Sequence, residues 1–91
     1  MTTNRPEAGE KIFKKGEVIY QQGDYVTAIF DVLWGQVALY VDYHKPAQRL
    51  LNEVEADGFF GIVGFLESRP QNATAVALEK TACMVITHES F

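Results

Sequence analysis

Glycine-centred turns recur along this chain and leave runs between them that suit strands better than helices. Lys15-Gly16, Gln22-Gly23-Asp24, Trp34-Gly35-Gln36 and Ala56-Asp57-Gly58 separate segments rich in β-branched and aromatic residues. Val18-Ile19-Tyr20 is one such segment, Ala28 to Trp34 a second and Gln36 to Tyr43 a third. In the third, Val37, Leu39 and Val41 alternate with Gln36, Ala38, Tyr40 and Asp42, so one face is the more apolar. Gly35 is free to take positive φ, and the spacing predicts a tight hairpin there. Lys11 to Phe13, Gln48 to Val54, Gln71 to Leu78 and Ala82 to Thr87 read as further strands, the last two joined by Glu79-Lys80. Short strands at intervals of about 8–12 residues predict a mainly β fold, a roll or sandwich with helical edges.

A chain of 91 residues is expected to form one domain. Residues 1–10 are polar, contain Pro6 and Gly9 and show no periodicity, so they read as a flexible lead-in to a domain over 11–91. Acidic residues number 12 against 8 basic ones, and Lys14-Lys15 is the only adjacent basic pair. That balance argues against nucleic-acid contact, which needs clustered Lys and Arg. One cysteine, Cys83, excludes an internal disulfide and a Cys-based zinc cage. No apolar stretch approaches the roughly 18–20 residues that span a bilayer, and the N-terminus has no secretory h-region. A cytoplasmic protein with no membrane contact is expected.

Gly58-Phe59-Phe60-Gly61-Ile62-Val63-Gly64-Phe65-Leu66 is followed by Pro70-Gln71-Asn72-Ala73-Thr74-Ala75-Val76-Ala77. A strand edge runs into a Gly-rich turn, then about a turn of helix over Gly61 to Glu67, then a loop and a strand. Free backbone N–H groups in such a turn suit a small anion. Phe59 and Phe60 are neighbours on a strand, so they face opposite sides, and one of them lines a pocket or an interface.

These two segments resemble the phosphate-binding cassette of cyclic nucleotide-binding domains. The resemblance extends through Gly16-Glu17-Val18-Ile19-Tyr20, Gln22-Gly23-Asp24, Ile29 to Val37 and the closing Ile86 to Phe91. It implies an antiparallel double-stranded β-helix, or jelly roll, with short flanking helices, and a regulatory role like that of the sensory domain in catabolite-activator-type transcription regulators. It also implies that Gly61, Ile62, Val63, Gly64, Arg69, Gln71, Asn72, Ala73 and Thr74 surround the ligand. A long helix follows the position of Phe91 in the family, and the chain is expected to lack it. Val63, Phe65 and Leu66 would then be exposed and available to a second copy in a homodimer.

The sequence departs from the family at two contacts. Ile62 stands where a Glu holds the ribose hydroxyl, and Gln71 stands where an Arg pairs with the cyclic phosphate. A ribose hydroxyl left unpaired and a charge-assisted fork reduced to a neutral amide together cost about 3–6 kcal/mol. A loss of that size takes a micromolar site to the millimolar range. Arg69, two residues before Gln71, is the available substitute cation. The expectation is a non-enzymatic sensor domain that needs no cofactor and binds cyclic AMP or cyclic GMP weakly, if at all. The alternative is a ligand-free interaction or dimerisation module of the same fold.

Other chemistry finds little support. A cupin-like enzyme would need clustered metal ligands, but His44 and His88 are isolated. Cys83 lies between Ala82 and Met84 in an apolar strand and reads as a small core residue. Glu53 and Glu55 share one strand face, a solvated one. No catalytic residue is expected.

Overall fold

The computed structural model describes residues 7–90. Eight strands and one short helix follow one another as β1 (Gly9–Phe13), β2 (Val18–Tyr20), β3 (Ala28–Trp34), β4 (Gln36–Val41), β5 (Arg49–Glu55), β6 (Phe59–Phe60), α1 (Ile62–Glu67), β7 (Thr74–Ala77) and β8 (Thr81–Thr87). They form two four-stranded antiparallel sheets, ordered β1-β8-β3-β6 and β2-β7-β4-β5. Strand β1 begins at Gly9, which pairs with Val85, so the ladder reaches two residues further than the strand read at Lys11.

The hairpin expected at Gly35 is not formed. Strand β3 belongs to one sheet and β4 to the other, and Gly35 is the corner between them. Its φ is +100°, and a Cβ there would lie 2.6 Å from Thr81 Cα. Thr81 fixes this corner: its Oγ1 accepts from Gln36 N at 3.1 Å and donates to Glu79 O at 2.8 Å. The two strands are neighbours in sequence, yet their residues need different sheets to bury. Among the described residues only β4 and β5 form a pair that is consecutive along the chain.

Between the sheets lies a core built from alternate residues of the facing strands. Phe13, Ala28, Phe30, Val32, Cys83 and Val85 come from one sheet, and Tyr20, Val37, Val54, Ala75 and Ala77 from the other. Phe30 and Phe60 stack with ring centroids 4.9 Å apart, and Tyr20 packs on both at 5.7 and 6.0 Å. Aromatic pairs in this range add about 0.5–1.5 kcal/mol beyond their burial. Cys83 is fully buried, as read from its apolar flanks, and burial with the nearby Asp31 carboxylate pushes its thiol up to about 11.

The edges of the sheets differ in character. Strand β5 is an edge strand that exposes five residues in a row, Leu50 and Leu51 among them. Its Glu53 and Glu55 are exposed, and Gln36 Nε2 donates to Glu53 Oε1. Strand β4 ends at Val41, because Asp42 takes a positive φ of 56°. Tyr43, past that end, stacks on Tyr40 of β4 at 5.1 Å. Residues 88–90 form a turn closed by Ser90 N donating to Thr87 O; Phe91 lies outside the described residues. Among the described residues no helix is long and apolar enough to cross a membrane.

Candidate functional site

The glycines of the 58–66 segment bring β6 and α1 against β3. Gly61 caps the helix with φ 83°, and a Cβ there would lie 2.8 Å from Ala28 O. An L side chain fits neither that conformation nor that space. Phe65 N reaches back to Gly61 O, and Ser68 N to Gly64 O, which ends the helix after six residues. Ser68 closes it in the left-handed region, as C-terminal caps commonly do.

Gly64 allows the helix to lie directly on the chain at Val26. A Cβ at this position would overlap the Val26 carbonyl oxygen and lie 2.5 Å from Gln71 Nε2. Gln71 is buried, at 3% exposure. Its Nε2 donates to Val26 O at 2.9 Å and to Gly61 O at 3.3 Å. Both acceptors are backbone carbonyls, so the amide nitrogen must be the atom turned into the protein. Gln71 backbone atoms also tie the loop down, with its N donating to Asp24 O and its O accepting from Gly23 N. Gln71, the residue expected at the phosphate contact, therefore braces this segment from within.

A cavity of about 320 Å³ opens beside this brace. Its apolar wall is made by Tyr20, Leu39, Leu51, Phe59, Phe60 and Ile62, and Gly61 and Val63 also line it. Asn52, Gln71 and Asn72 supply its carboxamides, and no lining side chain carries a formal charge. Asn52 Oδ1 is engaged by Glu53 N at 2.9 Å. Burial holds the Tyr20 phenol protonated well above its ordinary range.

Of the nine residues singled out from the sequence, Gly61, Ile62, Val63, Gln71 and Asn72 meet at this cavity. Gly64 lies behind it as a spacer, and Ala73 is buried. Thr74 begins β7, and its Oγ1 accepts from Gln22 N at 3.0 Å. Arg69 lies on the surface, where its Nη1 pairs with Glu67 Oε1 at 3.0 Å and both side chains are more than half exposed. It is not among the residues lining the cavity. Exposed pairs of this kind contribute about 0–1 kcal/mol.

Phe59 and Phe60 divide as the strand pattern requires. Phe60 is in the core at 2% exposure and Phe59 is 52% exposed, yet both line the cavity. The expectation of an exposed Phe65 is corrected: it is buried at 6%, stacked on His88 with ring centroids 4.1 Å apart. His88 Nε2 also lies 2.8 Å from Phe65 O, which ties the end of β8 to the helix. Val63 is half-buried, and of the three only Leu66 is fully open, at 69%. Sequence reading missed Tyr20, Leu39, Leu51 and Asn52 as cavity residues. Asn52, an amide between Leu51 and Glu53 in an edge strand, was the one visible signal.

Comparison with known proteins agrees with this architecture. The cyclic nucleotide-binding domain family matches residues 10–91. A cGMP-dependent protein kinase of Plasmodium berghei is 31% identical over 74 residues, covering 81% of this chain and 8% of the kinase. The cyclic AMP receptor protein of Thermus thermophilus is 27% identical over 81 residues, covering 89% of this chain and 38% of the receptor. The crystal structure of the Thermus thermophilus catabolite activator protein superposes with a TM-score of 0.84 at 26% identity, over 91% of this chain and 39% of that one. The chain thus spans well under half the length of each. The family match over residues 10–91 and this superposition show that the chain belongs to the cyclic nucleotide-binding domain family, in its catabolite-activator-type β-roll form.

Proposed function

We propose that this chain is a regulatory domain with no catalytic role of its own, and that its cavity does not hold cyclic AMP or cyclic GMP at micromolar affinity. The observation that carries this reading is the orientation of Gln71: its donor nitrogen is spent on Val26 O and Gly61 O. A cyclic phosphate seated against the cassette would meet no guanidinium, because Arg69 is outside the lining. Its ribose hydroxyl would meet Ile62, which neither donates nor accepts. The names of the relatives, a kinase tied to cGMP and a receptor tied to cyclic AMP, support the regulatory role. Control then passes through α1 and the His88 contact rather than through a tightly bound cyclic nucleotide.

Calorimetric titration of the purified domain with both cyclic nucleotides tests this. The expected result is no saturable heat below millimolar concentration. Saturation tighter than about 100 μM, roughly -5.5 kcal/mol, would overturn the reading.

A second reading is favoured by the exposure of Leu66, Phe59 and Ile62 around α1. In it the domain acts through a contact with a second copy. Sedimentation velocity of the wild type and of Leu66→Asp checks it: a dimer lost on substitution supports the contact, and a monomer at every concentration excludes it.

A further inference from the structure

Gln71 has one polar atom left after its nitrogen is turned inward. Its Oε1 accepts no hydrogen bond among the described residues, and no buried side-chain polar atom among them is left without a partner. An atom that is neither bonded nor sealed must touch solvent, and the space Gln71 lines is the cavity. The same reasoning places the Tyr20 hydroxyl there. Tyr20 is 4% exposed and lines the cavity, and its hydroxyl makes no hydrogen bond among the described residues. An arginine at position 71 would present charged donors to this space; the glutamine presents an acceptor. At this position the cavity lacks the charged donors that hold an anion, and the neutral Tyr20 hydroxyl does not replace them.

The rest of the lining agrees. Aromatic and aliphatic side chains make most of the wall, and the remaining polar side-chain groups, the Tyr20 hydroxyl and the amides of Asn52 and Asn72, are all neutral. A volume of about 320 Å³ is at the small end of ligand sites. No charged side chain in the lining offsets the dehydration of an ion, whereas a flat apolar body gains contact with the aromatic and aliphatic wall.

We infer that the cavity binds an uncharged small molecule with a flat apolar body and an N–H or O–H group that donates to Gln71 Oε1, and that it discriminates against anions of the same shape. This inference rests on the reading that cyclic nucleotides do not bind tightly. It assigns the cassette a ligand class selected by the reversed polarity of one side chain.

The test varies the probe and leaves Gln71 in place, because replacing that buried amide would also remove the donor to Val26 O. Indole, 1-methylindole, indole-3-acetate and cyclic AMP are titrated into the 15N-labelled domain up to their solubility limits. Indole is expected to give saturable shifts at the amides of Gly61, Ile62, Val63 and Asn72. Removing its donor in 1-methylindole should weaken binding about fivefold, the worth of one ordinary hydrogen bond. Indole-3-acetate should bind no better than 1-methylindole. The inference is overturned if indole gives no saturable shift, if the shifts lie away from the cavity, or if 1-methylindole or indole-3-acetate binds as well as indole. Silence from both indole and cyclic AMP sinks this inference alone and leaves the proposed function standing. Saturation by cyclic AMP sinks both. A second series with Ile62→Lys, at an exposed position in the lining, should raise indole-3-acetate binding several-fold relative to indole. No relative gain for the anion would overturn the inference that the lack of charge in the lining selects against anions.

Discussion

Gly64 and Gln71 are fitted to each other: the amide nitrogen of Gln71 lies where a side chain on residue 64 would be, 2.5 Å from the position of its Cβ. The helix can approach Val26 only without that carbon, and Gln71 can reach Val26 O only through the same gap. Gly64→Ala is therefore expected to destabilise the domain by about 1–3 kcal/mol despite the better helix propensity of alanine. Thermal denaturation should show it as a Tm lowered by about 4–8 °C for each kcal/mol in a domain of this size. The double change with Gln71→Ala should be less than additive, since both substitutions break one contact. Strict additivity would mean the two residues act separately.

Restoring the family's two contacts tests the alignment of the cassette. Ile62→Glu with Gln71→Arg places a carboxylate and a guanidinium at the cavity. Cyclic AMP affinity should rise by at least about tenfold, a fraction of the 3–6 kcal/mol that the two contacts are worth. The double variant should also unfold more easily, because Val26 O and Gly61 O lose their donor. Calorimetry and denaturant titration read the two effects separately. A variant that folds and shows no gain in affinity would mean that residues 62 and 71 do not face the ligand as in the family.

The corner at Gly35 is a second point of intolerance. Gly35→Ala must place a side chain at positive φ and against Thr81 Cα, 2.6 Å from its Cβ. We expect a loss of about 2–4 kcal/mol, from the left-handed conformation and the overlap together. Urea denaturation measures it, and a loss under about 0.5 kcal/mol, the range of ordinary surface changes, would contradict this account of the corner.

Alkaline pH should weaken the fold. Burial, aided by the Asp31 carboxylate, raises the Cys83 thiol from 9.0 to about 11, and burial raises Tyr20 in the same direction. The folded state then holds protons that the unfolded chain releases. This contribution is fully present below about pH 9 and is lost as pH rises through about 11, amounting to about 2–3 kcal/mol for the thiol. Denaturation midpoints at pH 8 and pH 10.5 should differ accordingly, and Cys83→Ala should flatten part of the slope. Thiol labelling at pH 8 should proceed no faster than unfolding; prompt labelling of the native protein would contradict the burial of Cys83.

The strands were legible because their periodicity is local. Ala28 to Trp34 coincides with β3, and the segment after Gly61 coincides with α1 within a residue. Sheet membership was not legible at Gly35, because a glycine with positive φ serves a hairpin and a corner equally well. The cassette glycines were identified from sequence, but the role of Gln71 was not. An amide reads as a weak ligand until the carbonyls of Val26 and Gly61, 45 and 10 residues away, are seen to claim its nitrogen. Tyr20, Leu39 and Leu51 come to the cavity from separate strands of the second sheet, and no spacing along the chain announces that convergence.

The passage of the chain from one sheet to the other after nearly every strand also bears on how the molecule is assembled. Apart from β4 and β5, no strand finds its partner next to it in sequence. Loop closure must therefore be met before most pairings form, which places folding among the slower domains of this size, in milliseconds to seconds rather than microseconds. A ribosome releasing this chain holds both sheets incomplete until β7 and β8 emerge, since β7 joins β2 to β4 and β8 joins β1 to β3. The last quarter of the sequence is thus the part that converts the preceding strands into a domain.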